Sequence, residues 1–291
     1  MRLRAARLEL APVAPFDVRP DPWQRLIAVG SILSVLVLAG GLYLTNDANR
    51  RQQALAAQGQ ITERFGKAIE QLGQTNPDKM DVRLGAIYAL ERIMRDSATD
   101  YPAVVQVLAG FIRGHAPRNG RTPQSSGKPD SPDGKIHPPE DIQAALDVLG
   151  RRSIKGNTGE MPFSLANTNL AGASIWANFA DVSFRGADLR GANLSGTNLD
   201  DAKMAGADMR GASLAGARLF DAGLSDVNLA GADMTRADLR RAWLSNTNLS
   251  GANLTDALLT RTQLQCADVD ETTILPEKLL RDKWAETGCG S

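Results

Sequence analysis

The chain has 291 residues, with 33 basic and 33 acidic side chains for a formal charge of zero, and a hydrophobic content of 43%. This balance excludes a disordered charged tail and a polycation built to hold nucleic acid, and it leaves enough apolar side chains for a sizeable core. Two cysteines, Cys266 and Cys289, are too few for a disulfide framework and read as free thiols.

Residues 1–25 form an N-terminal tail carrying Arg2, Arg4, Arg7, Arg19 and Arg25. Residues 26–45 are uncharged and mostly apolar, the length needed to cross about 30 Å of hydrocarbon. Trp23 and Tyr43 lie near the two ends, where amphipathic rings favour the headgroup level. A cleaved signal would have a shorter apolar run and a small-x-small site, so a single membrane-spanning helix is expected. The five arginines before this run exceed the three in the twenty residues after it, Arg50, Arg51 and Arg64, which by itself leans toward a C-terminal body outside the cytosol.

Residues 46–113 read as an α-helical module. Ile61, Phe65, Ala68, Ile69 and Leu72 fall on one helical face, and Gly73 and Pro77 end that helix. A second helix covers 81–93, and a third begins at Pro102 with Val104, Val105, Leu108, Phe111 and Ile112 inward. Residues 114–139 are rich in Pro, Gly and Ser and predict a flexible linker. Within 140–162 a helix opens at Pro139-Glu140-Asp141, buries Ile142, Ala145, Leu146 and Leu149, and stops at Gly150; it is expected to cap the region C-terminal to it.

From Phe179 to Ile274 a bulky apolar residue returns at every fifth position, twenty times in all. A small residue precedes each by two: Ala at fourteen places, otherwise Val or Thr. Steps of five scatter around a helix and alternate faces on a strand, so neither element buries the set. A chain that turns a right angle every five residues, twenty to a coil, keeps all of them inside. Leu165, Leu170 and Ile175 are three earlier centres, and the step of four from Ile175 to Phe179 removes one residue from a corner beside Trp176. Residues 163–276 thus predict a rod of just under six coils. Residues 277–291 come next as a cap helix and tail, with Leu279, Leu280 and Trp284 as its plug.

Units such as Ala187-Asp188-Leu189-Arg190-Gly191, Ala192-Asn193-Leu194-Ser195-Gly196 and Ala207-Asp208-Met209-Arg210-Gly211 resemble those of pentapeptide-repeat proteins. The resemblance implies a right-handed quadrilateral β-helix, here preceded by one transmembrane α-helix and a small α-helical module. The segment after the apolar run is similar to that of membrane-anchored pentapeptide-repeat proteins of actinobacteria. That similarity implies a bacterial cell-membrane location with the C-terminal body leaning cytoplasmic.

No catalytic, metal-binding or cofactor-binding pattern stands out. The two histidines, His115 and His137, sit in or beside the linker, and no phosphate loop or His/Cys spacing appears. The reading is therefore non-catalytic: a membrane-anchored scaffold presenting a rigid rod to a protein partner, with self-association through the rod as one form. Residues twenty apart stack on neighbouring coils, so Asp181, Asp201, Asp221, Arg241 and Arg261 form one column, acidic then basic. Arg240 and Phe220 lie beside it and Trp243 on the adjacent side. These eight residues are the expected protein-interaction set. The alternative is topoisomerase binding by mimicry of DNA, as in some members of the family. Residues 163–276 hold thirteen acidic against nine basic groups, a net of −4. Duplex DNA carries about one charge per 1.7 Å, several times denser. The same charge argues against nucleic acid as a partner.

Overall fold

The computed structural model describes residues 22–118, 136–152 and 161–280. The chain forms two compact units, Met1–Gln60 and Ile61–Ser291. Helix α1, Pro22–Leu72, begins in the first and ends in the second. Its apolar stretch is long enough to cross a membrane and is unburied by the rest of the protein. The hydroxyls of Ser34 and Thr45 donate to the carbonyls of Ser31 and Gly41, each at 2.8 Å, so neither needs water. A new module was expected from residue 46, but the helix continues unbroken through 46–60. That stretch is rich in Ala, Gln and Arg and has no proline, so nothing stops propagation.

In the second unit, the last turns of α1 pack Ala68 and Leu72 into a core shared with α2 (Met80–Asp96), α3 (Tyr101–His115) and α4 (Glu140–Gly150). A short 3₁₀ turn, Pro77–Lys79, leads into α2, and the Asn76 side chain accepts from the Asp78 N–H at 3.0 Å. The core residues Ile87, Leu90, Val105, Leu108, Ile142 and Leu149 are fully buried. The sequence assigns α4 to the rod alone, whereas it belongs to both bodies. Towards the helices, Asp141 accepts from Arg83 Nε at 2.6 Å, with both side chains under 10% exposed (7% and 4%). The Arg83 guanidinium also donates to the carbonyls of Gln74 and Asn76. Towards the rod, Gln143 exchanges two hydrogen bonds with the Ser174 backbone, and Trp176 Nε1 donates to Asp147 Oδ1 at 3.1 Å.

The first coil presents an open edge of backbone donors and acceptors, which must be covered. Residues 116–118, expected in the linker, cover it. Pro117 bridges Thr168 in antiparallel sense, Asn169 N–H donates to the Ala116 carbonyl, and Arg118 N–H donates to the Asn167 carbonyl. Residues 119–135 of the expected linker, and 153–160 of the connector before the rod, lie outside the described residues. Arg152 completes this end, 5% exposed, with its guanidinium 4.6 Å from the Phe163 ring centroid and 5.9 Å from that of Phe179.

The repeat region winds as a ladder of isolated parallel bridges, one per five residues. Residues 20 apart pair from Asn178↔Asn198 through Asn248↔Asp268. In the first coil the offset is 19, as in Ser174↔Asn193, and it becomes 20 at Asn178. The residue missing beside Trp176 accounts for the change, and Ala177 takes up the corner at φ 70°. Every centre from Leu165 to Leu254 is buried, as are the preceding small residues, apart from Ala177 at the distorted corner.

The last coil departs from the expected register. Thr260 and Gln263 form a capping box around a helical turn, α5 (Arg261–Leu264), which replaces one side. The Gln263 amide donates to the carbonyls of Leu239 at 2.6 Å and Ala242 at 2.9 Å, standing in for the lost bridge. Farther on, Asn253 pairs with Ile274, an offset of 21. Ile274, read as the final centre, is therefore the outward pairing residue and is 52% exposed. Leu275 takes the inward place and Thr273 the small one, its hydroxyl donating to the Leu249 carbonyl at 2.9 Å. Helix α6, Glu277–Leu280, buries Leu279 against this end; Trp284, expected in the plug, lies outside the described residues.

Removing the Asp141 carboxylate leaves Arg83 buried without a counter-ion. Asp141→Ala is expected to cost about 3–5 kcal/mol in stability, read as a lower midpoint in chemical denaturation of the full chain. A change within about 0.5 kcal/mol would mean that the pair does not join α4 to α2.

Candidate functional site

Each corner of the coil follows one rule. The N–H of the small residue donates to the carbonyl of the preceding centre, as from Ala187 to Phe184 at 2.9 Å, closing a four-residue turn whose third member has positive φ. Glycine fills that place at eight corners between Gly186 and Gly251. The Asn or Asp before each centre then accepts from the N–H two residues on, as Asn193 does from Ser195 at 3.1 Å and Asp233 from Thr235 at 3.0 Å. This bond explains why the repeat carries so many acidic and amide residues that serve no other role.

One edge of the rod lacks glycine. Asp181, Asp201, Asp221 and Arg241 occupy it in successive coils at φ 58°, 58°, 55° and 63°. The acidic-to-basic column read from the sequence therefore exists as a line of left-handed corners. It ends at Arg241, because Arg261 is drawn into α5 and donates from Nη2 to the Leu279 carbonyl at 2.6 Å.

The charges on this edge are mostly paired. Arg241 Nε meets Asp221 Oδ1 at 3.0 Å. Arg240 grips Asp238 in its own coil through Nε at 2.8 Å and Nη2 at 2.7 Å, and Arg218 pairs with Asp200 of the coil before. The bonds from Arg240 hold the Asp238 carboxyl below the usual carboxylate range. Asp188–Arg190 and Asp208–Arg210 repeat the arrangement on another side. Spacing reveals the columns but not these within-coil clasps between the residues flanking one centre. Asp181 faces the charge of Arg152, which arrives from beyond the rod.

Asp201 is the exception: exposed, with no ion pair among the described residues. Partial burial and the neighbouring charges of Asp181, Asp221 and Asp200 push its carboxyl above the ordinary value. Phe220 sits half-buried beneath two guanidinium groups, 5.2 Å from Arg241 and 5.9 Å from Arg240. Around the corner Trp243 stacks over Gly223 and is 65% exposed, while Leu258 stacks over Asp238 and is 51% exposed.

Cys266, read from sequence as a free thiol, is disulfide-bonded. The other cysteine of the sequence, Cys289, lies outside the described residues.

The profile of the family described as pentapeptide repeats matches residues 177–216, 212–251 and 237–273, with eight copies. A pentapeptide repeat protein of the Arabidopsis thaliana thylakoid lumen is 30% identical over 36% of this chain and 77% of its own length, with a TM-score of 0.33. The chain belongs to the pentapeptide-repeat family. Rfr23, a pentapeptide repeat protein from the cyanobacterium Cyanothece 51142, is 33% identical over 33% of this chain; the TM-score is 0.32, and this chain spans 66% of Rfr23, just under two thirds. QnrB1, a plasmid-mediated fluoroquinolone resistance protein, is 13% identical over 41% of this chain and 81% of its own, with a TM-score of 0.22. No curated protein sequence matches the chain. Pentapeptide-repeat proteins fold as right-handed β-helices and are generally non-catalytic structural or interaction proteins.

A raised carboxyl pKa means that ionised Asp201 destabilises the folded rod at neutral pH, and that this penalty fades as pH falls through the carboxyl's own range. Asp201→Asn, equally suited to a left-handed corner, is expected to raise the melting temperature at pH 7. Its advantage should vanish in acid. An advantage independent of pH in differential scanning calorimetry would assign the effect to the backbone instead.

Proposed function

We propose that this protein is a non-catalytic, membrane-anchored scaffold whose rod is a right-handed quadrilateral β-helix, of the kind found in actinobacterial membranes. The apolar stretch of α1 supports the anchor. The observation that carries the docking role is the pair Trp243 and Leu258. The repeat demands nothing large or apolar outside, and the stacked places beneath them hold Ser183, Lys203 and Gly223, or Asn178, Asn198, Arg218 and Asp238. Two exposed apolar side chains beside Arg240, Arg241 and Phe220 form a patch of the composition that protein interfaces favour.

The occupant best matched to this edge is a second copy of the same rod. Set antiparallel about a two-fold axis at the coil of Phe220 and Asp221, Asp201 of one copy faces Arg240 and Arg241 of the other, with Trp243 alongside. Arg261, engaged at the cap, takes no part. Mimicry of duplex DNA asks for an unbroken anionic wall, and the arginine clasps on Asp188, Asp200, Asp208, Asp221 and Asp238 disfavour it.

In cross-linking and light scattering of the full chain, Asp201→Arg is expected to reduce the dimer at least fivefold. Adding Arg241→Asp, which restores opposite charges across the axis, together with Asp221→Arg, which keeps the pair with residue 241 inside each copy, should recover it. A monomeric wild type, or a triple variant no better than the single one, rejects self-docking.

Two features support a C-terminal body outside the cytosol rather than the cytoplasmic side that the family resemblance implies. Disulfides such as that of Cys266 persist in oxidising compartments, and the arginine excess precedes the apolar run. We place the C-terminal body outside the cytosol. A reporter fused after Ser291 is expected to be active only if its activity requires export; activity of a cytosol-dependent reporter refutes the assignment.

A further inference from the structure

Between the end of α1 and the second half of α2 lies a groove of about 310 Å³. Its floor is Ile61 and Ala68 from α1 with Ala89 and Ile93 from α2. The hollow exists because two alanines stand where the helices face each other, and larger side chains there would close it. The rim has a different chemistry. Arg64 and Lys67, one turn apart on α1, line one side and Arg92 the other. Both α1 cations are exposed and form no ion pair among the described residues. The one carboxylate at the rim, Asp96, is held by Arg92 at 3.6 Å in a pair whose side chains are 72% and 55% exposed. Such a pair contributes little to stability, so three cations and one anion surround an apolar slot.

We propose that this groove binds a single-chain anionic amphiphile, with the acyl chain on the floor and a carboxylate or phosphate head between Arg64, Lys67 and Arg92. Charge complementarity selects an anion, and the floor selects its tail. The four floor side chains carry no donor or acceptor, Gln71 adds a single amide to the lining, and the helical backbone behind the floor is internally bonded. A peptide laid in the slot would leave its own N–H and C=O groups unpaired, whereas an alkyl chain has none to satisfy. The volume sits at the lower end of the roughly 300–1,000 Å³ typical of small-molecule sites, room for one chain and not for a two-chain lipid. This site lies apart from the charged edge of the rod and stands independently of self-docking.

The test uses the full-length protein in phosphatidylcholine nanodiscs and dodecanoic acid carrying a photo-activated diazirine. Adducts are expected on peptides containing Ile61–Gln71 and Ala89–Asp96. Excess dodecanoate or lysophosphatidate should compete, the better competitor identifying the head group, while dodecyltrimethylammonium should not. The double substitution Arg64→Ala with Lys67→Ala, both on the surface, should lower labelling at least fivefold with an unchanged melting temperature. Ala89→Phe, which fills the slot, should do the same. The proposal is overturned by labelling confined to other peptides, by equal competition from the cationic amphiphile, or by wild-type labelling of the double variant.

Discussion

The left-handed corner governs this rod. A five-residue side can close only if the residue two past each centre takes positive φ, so that the next N–H reaches the carbonyl of that centre. The other preferences stem from it. The small residue must sit inside the corner, the centre must fill the axis, and the Asn or Asp between them steadies the next turn with its side chain. Aspartate and asparagine tolerate the left-handed region better than most residues, which lets the protein place charge at corners where glycine would be mute. Asp181, Asp201 and Asp221 are both hinge and display.

Because each coil rests on the one before, the ends carry the burden of termination. At the start the solution is tertiary: α4, Arg152 and residues 116–118 tie the rod to the helices, and one hydrophobic cluster runs from Ala68 to Leu279. At the other end the chain closes on itself, through α5, the shifted register at Ile274 and Leu279. A rod held this way presents its outer residues in fixed places, which suits recognition of a surface more than chemistry on a substrate.

Periodicity made the rod legible. Leu189 or Leu224 can be placed from spacing alone, because one inward position per five residues is a strong constraint and any slip would expose the whole set. The skipped corner beside Trp176 was equally visible as a step of four. What escaped was whatever depends on a competing local preference. Thr260 and Gln263 prefer a capped helical turn to another flat side, and this removes Arg261 from the wall. One further residue before Ile274 shifts the final centre to Leu275, and an apolar residue at the expected spacing concealed it. The interaction set was partly readable. The Asp181-to-Arg241 column comes from a period of twenty, but Arg240 clasping Asp238 within a coil, and the charge of Arg152 near Asp181 from just past the end of α4, depend on side-chain direction and tertiary docking. The helices were found by their faces, yet α4's double allegiance required knowing that Arg83 would be buried opposite Asp141.

The offset of twenty between paired residues also couples length to direction. Adding a single five-residue unit to the middle of the rod would rotate everything after it by a quarter turn, sending Trp243 and Leu258 to face a different quarter of the compass from Asp181 and Asp201. Only whole multiples of four units preserve aim. Lineages that lengthen or shorten such a rod therefore change not merely its reach but its bearing, and a gene duplication of sixty nucleotides is the smallest that keeps both ends pointing as before.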